Sequence, residues 1–108
     1  MHDVIQITTT TDSADKAKTL AEKLVERRLV ACAQIAGPIT SVYRWQGKME
    51  TAEEWKCTMK ALRGDFNEIE AAINELHEYE VPEILATPVV VGNATYLDWI
   101  REETQDAR

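Results

Sequence analysis

The chain has 108 residues, a net charge of −7 from 12 basic and 19 acidic residues, and 44% hydrophobic residues. This length suits a single domain, which we expect to cover residues 1–108. Nucleic-acid partners require basic residues that neutralise phosphates, and membrane proteins require apolar runs of roughly 20 residues, so both classes are disfavoured. Two cysteines and no signal-peptide pattern predict a cytoplasmic protein with free thiols.

The N-terminal part of the chain predicts a strand followed by an amphipathic helix. Val4–Thr9 is short and rich in β-branched residues, which is typical of a strand. Asp12 then has the position of an N-cap, with Asp15 three residues later as an approximate capping box. The helix should end near Arg27 and Arg28, whose charges favour the negative end of the helix dipole. Its apolar face at helical spacing comprises Ala17, Leu20, Ala21, Leu24 and Val25.

The middle of the chain predicts an unusually long β-hairpin. Apolar and polar residues alternate over Ile39–Trp45 and again over Trp55–Ala61, with Gln46-Gly47-Lys48 as the turn and Gly47 supplying a positive φ. Gly37-Pro38 predicts a bulge or bend. Such a hairpin spans roughly 30 residues, well beyond the usual strand length of about five or six, and its apolar side chains would be costly to leave in water. We therefore predict an oligomer in which hairpins pack on neighbouring chains.

The C-terminal part predicts a helix, a strand and a last helix. Asp65–Glu68 has the capping-box pattern, and Pro82 forbids continuation of the helix. Ile84–Val91 predicts a strand, with Pro88 at an edge or bulge, and Asn93 caps the last helix. The buried face of the middle helix comprises Phe66, Ile69, Ala72, Ile73 and Leu76. The order β-α-β-β-α-β plus a terminal helix predicts an α+β fold, the ferredoxin-like sandwich.

The segment Glu75–Leu85 concentrates a histidine and several carboxylates and suggests a divalent-cation site. Imidazole and carboxylate suit transition metals, and His77 and Glu80 would share a helix face if the helix reached that far. Glu83 is a further candidate ligand. The alternative is a solvated helix end with a surface or interface histidine. Because structural metal sites normally bring three or four spaced ligands, the residues alone favour this alternative.

Cysteine chemistry and catalysis find less support. With the turn at Gly47, Cys32 and Cys57 should not lie directly opposite one another, which favours free cysteines on strands over copper ligands or a redox pair. The chain contains neither a Gly-x-Ser-x-Gly elbow nor a glycine-rich phosphate loop. We therefore predict no enzymatic activity and name no catalytic residue.

Several segments together resemble the CutA divalent-cation tolerance family: RRLVACAQI, ITSVYRWQGK, the Glu53–Lys60 strand and YEVPEILATPVVVGNATYLDWI. The resemblance runs from about Val4 to Ile100. It implies a ferredoxin-like subunit, a homotrimer built through the long hairpins, and a cytoplasmic bacterial or organellar setting. It also implies an architecture similar to that of PII signalling proteins, which sense small molecules in clefts between subunits.

The resemblance further implies tolerance of copper and other divalent cations. Some members are assigned copper ligands at a first-strand cysteine and at paired histidines just before a Pro-Tyr segment. In this sequence the corresponding positions are about Thr8, Leu76 and His77, so His77 is the only one of the three that keeps the ligand residue type. No cofactor is required, and copper or another divalent cation would bind weakly at His77 with Glu80 and Glu83.

Three candidate functions follow. The first is a homotrimer associated with the response to divalent metal ions. The alternative is a PII-like module that binds a small molecule between subunits, or a non-catalytic trimeric scaffold. For the PII-like alternative, the hairpin and the helix exit would converge on a cleft with these candidate residues: Tyr43, Trp45, Lys60, His77, Tyr79 and Glu83.

Overall fold

The structure, a computed structural model, describes residues 3–104. The elements follow in the chain as β1 Val4–Thr11, α1 Ala14–Glu26, β2 Cys32–Trp45, β3 Lys48–Leu62, a 3-10 turn Arg63–Asp65, α2 Phe66–Leu76, β4 Leu85–Pro88 and α3 Ala94–Glu103. The strands form one antiparallel sheet in the order β2-β3-β1-β4. This order confirms the predicted α+β ferredoxin-like fold, while His2 lies outside the described residues.

The helices α1 and α2 cover one face of the sheet, and the main core lies between these helices and the sheet. Strand and helix residues form one buried cluster: Ile5, Ile7, Leu20, Leu24, Cys57, Met59, Ile69 and Ile73. Full burial of each large aliphatic side chain stabilises the fold by about 1.5–3 kcal/mol. The predicted apolar faces of both helices are confirmed except at Val25, which is 40% exposed. Val25 lies at the rim of its helix face, beside the exposed Ile35.

The start of α1 differs from the prediction by one residue. Ser13 is the N-cap, because its backbone is extended and its Oγ accepts a hydrogen bond from the Lys16 N–H at 3.1 Å. The capping box predicted for Asp12 and Asp15 is wrong, since β1 continues to Thr11 and shifts the cap onward. Asp12 instead forms an exposed ion pair with Lys16 at 3.0 Å. The predicted end of α1 is confirmed.

The hairpin of β2 and β3 is as long as predicted, with strands of 14 and 15 residues. Trp45 pairs with Lys48, so the turn has two residues, and both have positive φ: 51° at Gln46 and 81° at Gly47. These values are typical of a type I′ turn, which matches the twist of the strands. The register shifts between Ala36 and Ile39, which confirms the bulge predicted at Gly37-Pro38.

The edge strand β4 is shorter than predicted. It ends at Pro88, opposite Ile5, and one more hydrogen bond, from the Val89 N–H to the Val4 carbonyl at 2.9 Å, follows it. Val90 and Val91 lie outside the sheet and are 65% and 86% exposed, so the predicted extension to Val91 is wrong. The predicted cap of α3 is confirmed, since Asn93 Oδ1 accepts the Tyr96 N–H at 3.1 Å.

Within residues 3–104, a helix covers the second face of the sheet at one end only. There, α3 packs Ile100 with Val4 and Ala31 in a small separate cluster. Further along this face the sheet is left open by the helices, and the far half of the hairpin extends past them in a subunit 44 Å long. Within residues 3–104 no helix is both long and apolar enough to cross a membrane.

Candidate functional site

A groove of about 540 Å³ lies between the far half of the hairpin and residues 77–84, the loop after α2. We call it the hairpin groove. Its lining residues are Thr10, Ser41, Val42, Tyr43, Trp45, Glu54, Tyr79, Glu80, Val81 and Glu83. Three are aromatic and three are acidic, and none carries a positive charge.

The strand register brings the hairpin residues of the groove together. Tyr43 pairs with Glu50, and Trp45 pairs with Lys48. Because side chains alternate along a strand, Tyr43 and Trp45 project to the same side as Glu54, which pairs with Ile39. The groove therefore begins just beyond the bulge and follows one face of the hairpin.

His77 fixes the start of the loop that forms the opposite wall. The helix α2 ends at Leu76, and His77 is its extended C-cap residue. Its Nδ1 accepts the Tyr79 N–H at 3.1 Å, so Nε2 carries the proton and donates to the Thr10 carbonyl at 2.6 Å. The imidazole and Tyr79 ring centroids are 4.7 Å apart. Both ring nitrogens are thus used to hold the loop against β1.

Tyr79 and Glu54 connect the loop to the hairpin across the groove. The Tyr79 hydroxyl donates to Glu54 Oε2 at 2.8 Å, and Glu54 is only 8% exposed. Burial, reinforced by this hydrogen bond, raises the pKa of Tyr79 above its usual value, so the phenol remains the donor. Within residues 3–104, the other oxygen of Glu54 has no hydrogen-bond donor.

The groove carries uncompensated negative charge. The ion pairs among residues 3–104 involve other carboxylates: Asp3, Asp12, Glu75, Glu78 and Asp98. Glu54, Glu80 and Glu83 therefore face the groove without a cationic partner from the described part of the chain. Such an arrangement attracts cations and repels anions.

The family model of the CutA1 divalent ion tolerance protein matches residues 5–103. The chain belongs to this family. The divalent-cation tolerance protein CutA of Thermus thermophilus is 42% identical over 104 residues, which cover 96% of this chain and 99% of that relative. A crystal structure of CutA from Xylella fastidiosa has a TM-score of 0.92 and 36% identity, over 95% of this chain and 99% of that chain.

Other relatives of this CutA1-family chain are longer. The chloroplastic CutA protein of Arabidopsis thaliana is 32% identical over 102 residues, 94% of this chain but 56% of that relative. The chain thus spans about half the length of such relatives. The names of its relatives associate the CutA1-family chain with tolerance of divalent cations.

The structure of the CutA1-family chain brings most of the predicted cleft residues together. Tyr43, Trp45, Tyr79 and Glu83 all line the hairpin groove. Lys60 does not, because it pairs with Cys32 elsewhere on β3, where its Nζ donates to Gln34 Oε1 at 2.6 Å. Glu54 lies at the centre of the groove but was missed. The predicted alternation began at Trp55, one residue later, and nothing in it indicated that this part of the strand meets the loop after α2.

The predicted metal site has no matching geometry within one chain. His77 and Glu80 do not share a helix face, since α2 ends at Leu76. Among residues 3–104, no group of three His, Cys, Asp or Glu side chains is placed to hold a metal ion. Both nitrogens of His77 are engaged, so a metal there would have to displace a hydrogen bond. Metal binding at His77, Glu80 and Glu83 stays a prediction that this geometry does not favour.

The two cysteines lie apart on the hairpin, as the sequence predicted. Cys32 pairs with Lys60 and Cys57 pairs with Ile35, and both thiols are free. Cys57 is fully buried, and burial raises the pKa of its thiol to about 11. A protonated thiol is a poor metal ligand. Cys32 lies 3.5 Å from the hydroxyl of Tyr96, away from the hairpin groove.

Proposed function

We propose that this chain is a non-enzymatic, cytoplasmic homotrimer that contributes to tolerance of divalent metal ions, copper included. The observation that carries the proposal is the hairpin groove, whose three carboxylates lack cationic partners among residues 3–104. Membership of the CutA1 family supports the link to divalent ions. The free thiols Cys32 and Cys57 suit a reducing compartment.

A catalytic role has little support in the described residues. His77, the histidine within residues 3–104, is bonded to two backbone groups and so activates no side-chain nucleophile. The Tyr79 phenol has a raised pKa, which makes it a weak nucleophile at neutral pH. We accordingly propose a binding protein.

The trimer is supported by apolar surface that one subunit leaves in water. Large aliphatic side chains on the far half of the hairpin remain exposed, Val42 at 63% and Met49 at 77%. The edge strands β2 and β4 also present unpaired backbone groups. Packing of hairpins between subunits would cover both kinds of surface.

Light scattering of the purified protein tests the assembly. For a subunit of 12.2 kDa, a trimer gives a mass three times as large, about 37 kDa. We expect this mass down to low micromolar concentration, because an extensive apolar interface dissociates only at high dilution. A mass near that of one subunit at every concentration would contradict the homotrimer.

Metal binding by carboxylates alone should be weak, since hard oxygen ligands lack the affinity of imidazole and thiolate for copper and zinc. We propose that Glu80 and Glu83, which line the groove without an ion-pair partner among residues 3–104, provide this binding. His77 would then hold the loop instead of the metal.

Calorimetric titration of Cu²⁺ and Zn²⁺ tests this assignment. All proteins carry His2→Ala, so that a terminal imidazole adds no separate site. The double variant Glu80→Gln/Glu83→Gln should weaken binding about tenfold or more, because it removes two carboxylate ligands. His77→Gln, whose amide N–H can still donate to Thr10, should leave the affinity unchanged. Loss of binding only in His77→Gln would instead place the metal on the imidazole.

A second candidate function uses the same groove. At about 540 Å³ it has the size of a small-molecule site, and its aromatic walls exceed what a bare metal ion needs. We therefore also propose a PII-like role, in which the groove binds a small molecule at a boundary between subunits. A non-catalytic scaffold remains as the function if neither class of ligand binds.

A further inference from the structure

We propose that the hairpin groove binds an organic cation, a small alkylammonium compound. This inference rests on the small-molecule role proposed for the groove and names the chemical class of its ligand. Three features carry it: the sign of the charge, the aromatic walls and the buried carboxylate of Glu54.

The charge of the lining residues disfavours an anionic ligand. Glu54, Glu80 and Glu83 line the groove, and no lysine or arginine does. The sequence predicted Lys60 as a residue of this cleft. Lys60 lies four residues along β3 from Lys56, which pairs with the lining residue Thr10, so it is about 13 Å away from that end of the groove. A nucleotide would bring phosphates to carboxylates without a compensating cation, so its binding is unfavourable.

The aromatic walls favour a cation with alkyl groups over a hydrated metal ion. Trp45 and Tyr43 are 38% and 44% exposed on one side of the groove, and Tyr79 lies on the other. The faces of these rings carry negative potential, and Trp gives the strongest cation–π attraction. A metal ion is bound through the lone pairs of its ligands. An alkylammonium ion is attracted by the faces of aromatic rings as well as by carboxylates.

Glu54 gives the ammonium group a defined position. Its side chain is almost fully buried, and Tyr79 satisfies only Oε2. Oε1 has no hydrogen bond within residues 3–104 and is not one of the buried side-chain atoms that lack a partner, so it remains open to a ligand in the groove. An alkylammonium N–H that donates to Oε1 would supply both the missing hydrogen bond and the countercharge.

The test compares a cation with a neutral molecule of nearly the same shape. Butylammonium chloride and 1-butanol are titrated calorimetrically into the full chain, and ATP serves as the anionic probe. We expect butylammonium to bind at least tenfold more tightly than 1-butanol, and ATP not to bind. Equal affinity for butylammonium and 1-butanol would overturn the proposal.

Variants on the two faces of β3 locate the site. Glu54→Gln keeps an acceptor for the Tyr79 hydroxyl but loses the charge, and should weaken butylammonium binding at least tenfold. Glu53→Gln is the matched control, because it removes the same charge from the neighbouring, exposed residue on the other face. Trp45→Leu should also weaken binding, and it leaves the Glu54–Tyr79 bond in place. Unchanged affinity in both Glu54→Gln and Trp45→Leu would overturn the proposal.

The possible outcomes distinguish a wrong ligand class from a groove that binds no small molecule. If ATP binds and Trp45→Leu weakens it, the groove binds small molecules but the cationic class is wrong. If neither butylammonium nor ATP binds at millimolar concentration, the small-molecule role fails together with this inference. Metal titration of the Glu80→Gln/Glu83→Gln variant is independent of both results.

Discussion

The substitution Leu24→Ala is expected to lower the free energy of unfolding by about 2–5 kcal/mol. Leu24 is fully buried in the main core, where α1 packs on the sheet and on α2. Removal of its isobutyl group forfeits the transfer free energy of the lost atoms and leaves a cavity that a close-packed interior fills only in part. Reversible urea unfolding at a fixed protein concentration measures the loss, because subunit association also contributes to stability.

Val25→Ala is the matched control on the next residue of the same helix. Val25 is 40% exposed, so it loses little burial on truncation, and alanine is the better helix former by roughly half a kcal/mol. We expect a change within about 0.5 kcal/mol of zero. Similar losses for Leu24→Ala and Val25→Ala would contradict the placement of the two side chains.

Local sequence rules predicted much of the fold because they act over a few residues. The positive φ at Gly47, the bulge at Gly37-Pro38 and the cap at Asn93 each depend on the chemistry of one or two residues. The rules failed where two elements competed for the same residues. Thr11 extends β1 and moves the cap from Asp12 to Ser13, although both residues are good caps.

The groove required information that lies outside any single segment. The side on which Glu54 faces depends on a two-residue turn at one end of the hairpin and on the bulge at the other, and an error of one residue changes the pairing of the whole strand. The contact of Tyr79 with Glu54 also depends on His77, whose imidazole aligns the loop with Thr10. The sequence therefore indicated the aromatic wall and Glu83, but it also included Lys60 and omitted Glu54.

The chemical role of His77 also could not be predicted from a single segment. A histidine among carboxylates suggests a metal ligand when only residue types are known. The hydrogen bonds to Thr10 and Tyr79 change this interpretation, since they occupy both nitrogens. The carboxylates of Glu80 and Glu83 are exposed and have no ion-pair partner among residues 3–104, so we assign the proposed cation binding to these acids instead of the imidazole.

The second prediction concerns the bulge from which the far half of the hairpin extends. Gly37→Ala is expected to destabilise the protein by about 1–3 kcal/mol, because a Cβ at this position would overlap the indole of Trp55 and lie 2.7 Å from its Cγ. The overlap involves the base of the indole, which cannot swing away as the end of a flexible side chain can. The thermal midpoint and urea unfolding measure the effect.

Gly64→Ala is the control, since a Cβ there meets nothing within 4 Å and the backbone is not in the left-handed region. It should be neutral or stabilising by up to about 1 kcal/mol, because alanine restricts the unfolded chain. A double-mutant cycle completes the test: in a Trp55→Ala background, Gly37→Ala should lose most of its cost, as the clashing ring is absent. An equal cost in both backgrounds would mean that backbone strain, and not the indole, requires glycine at the bulge.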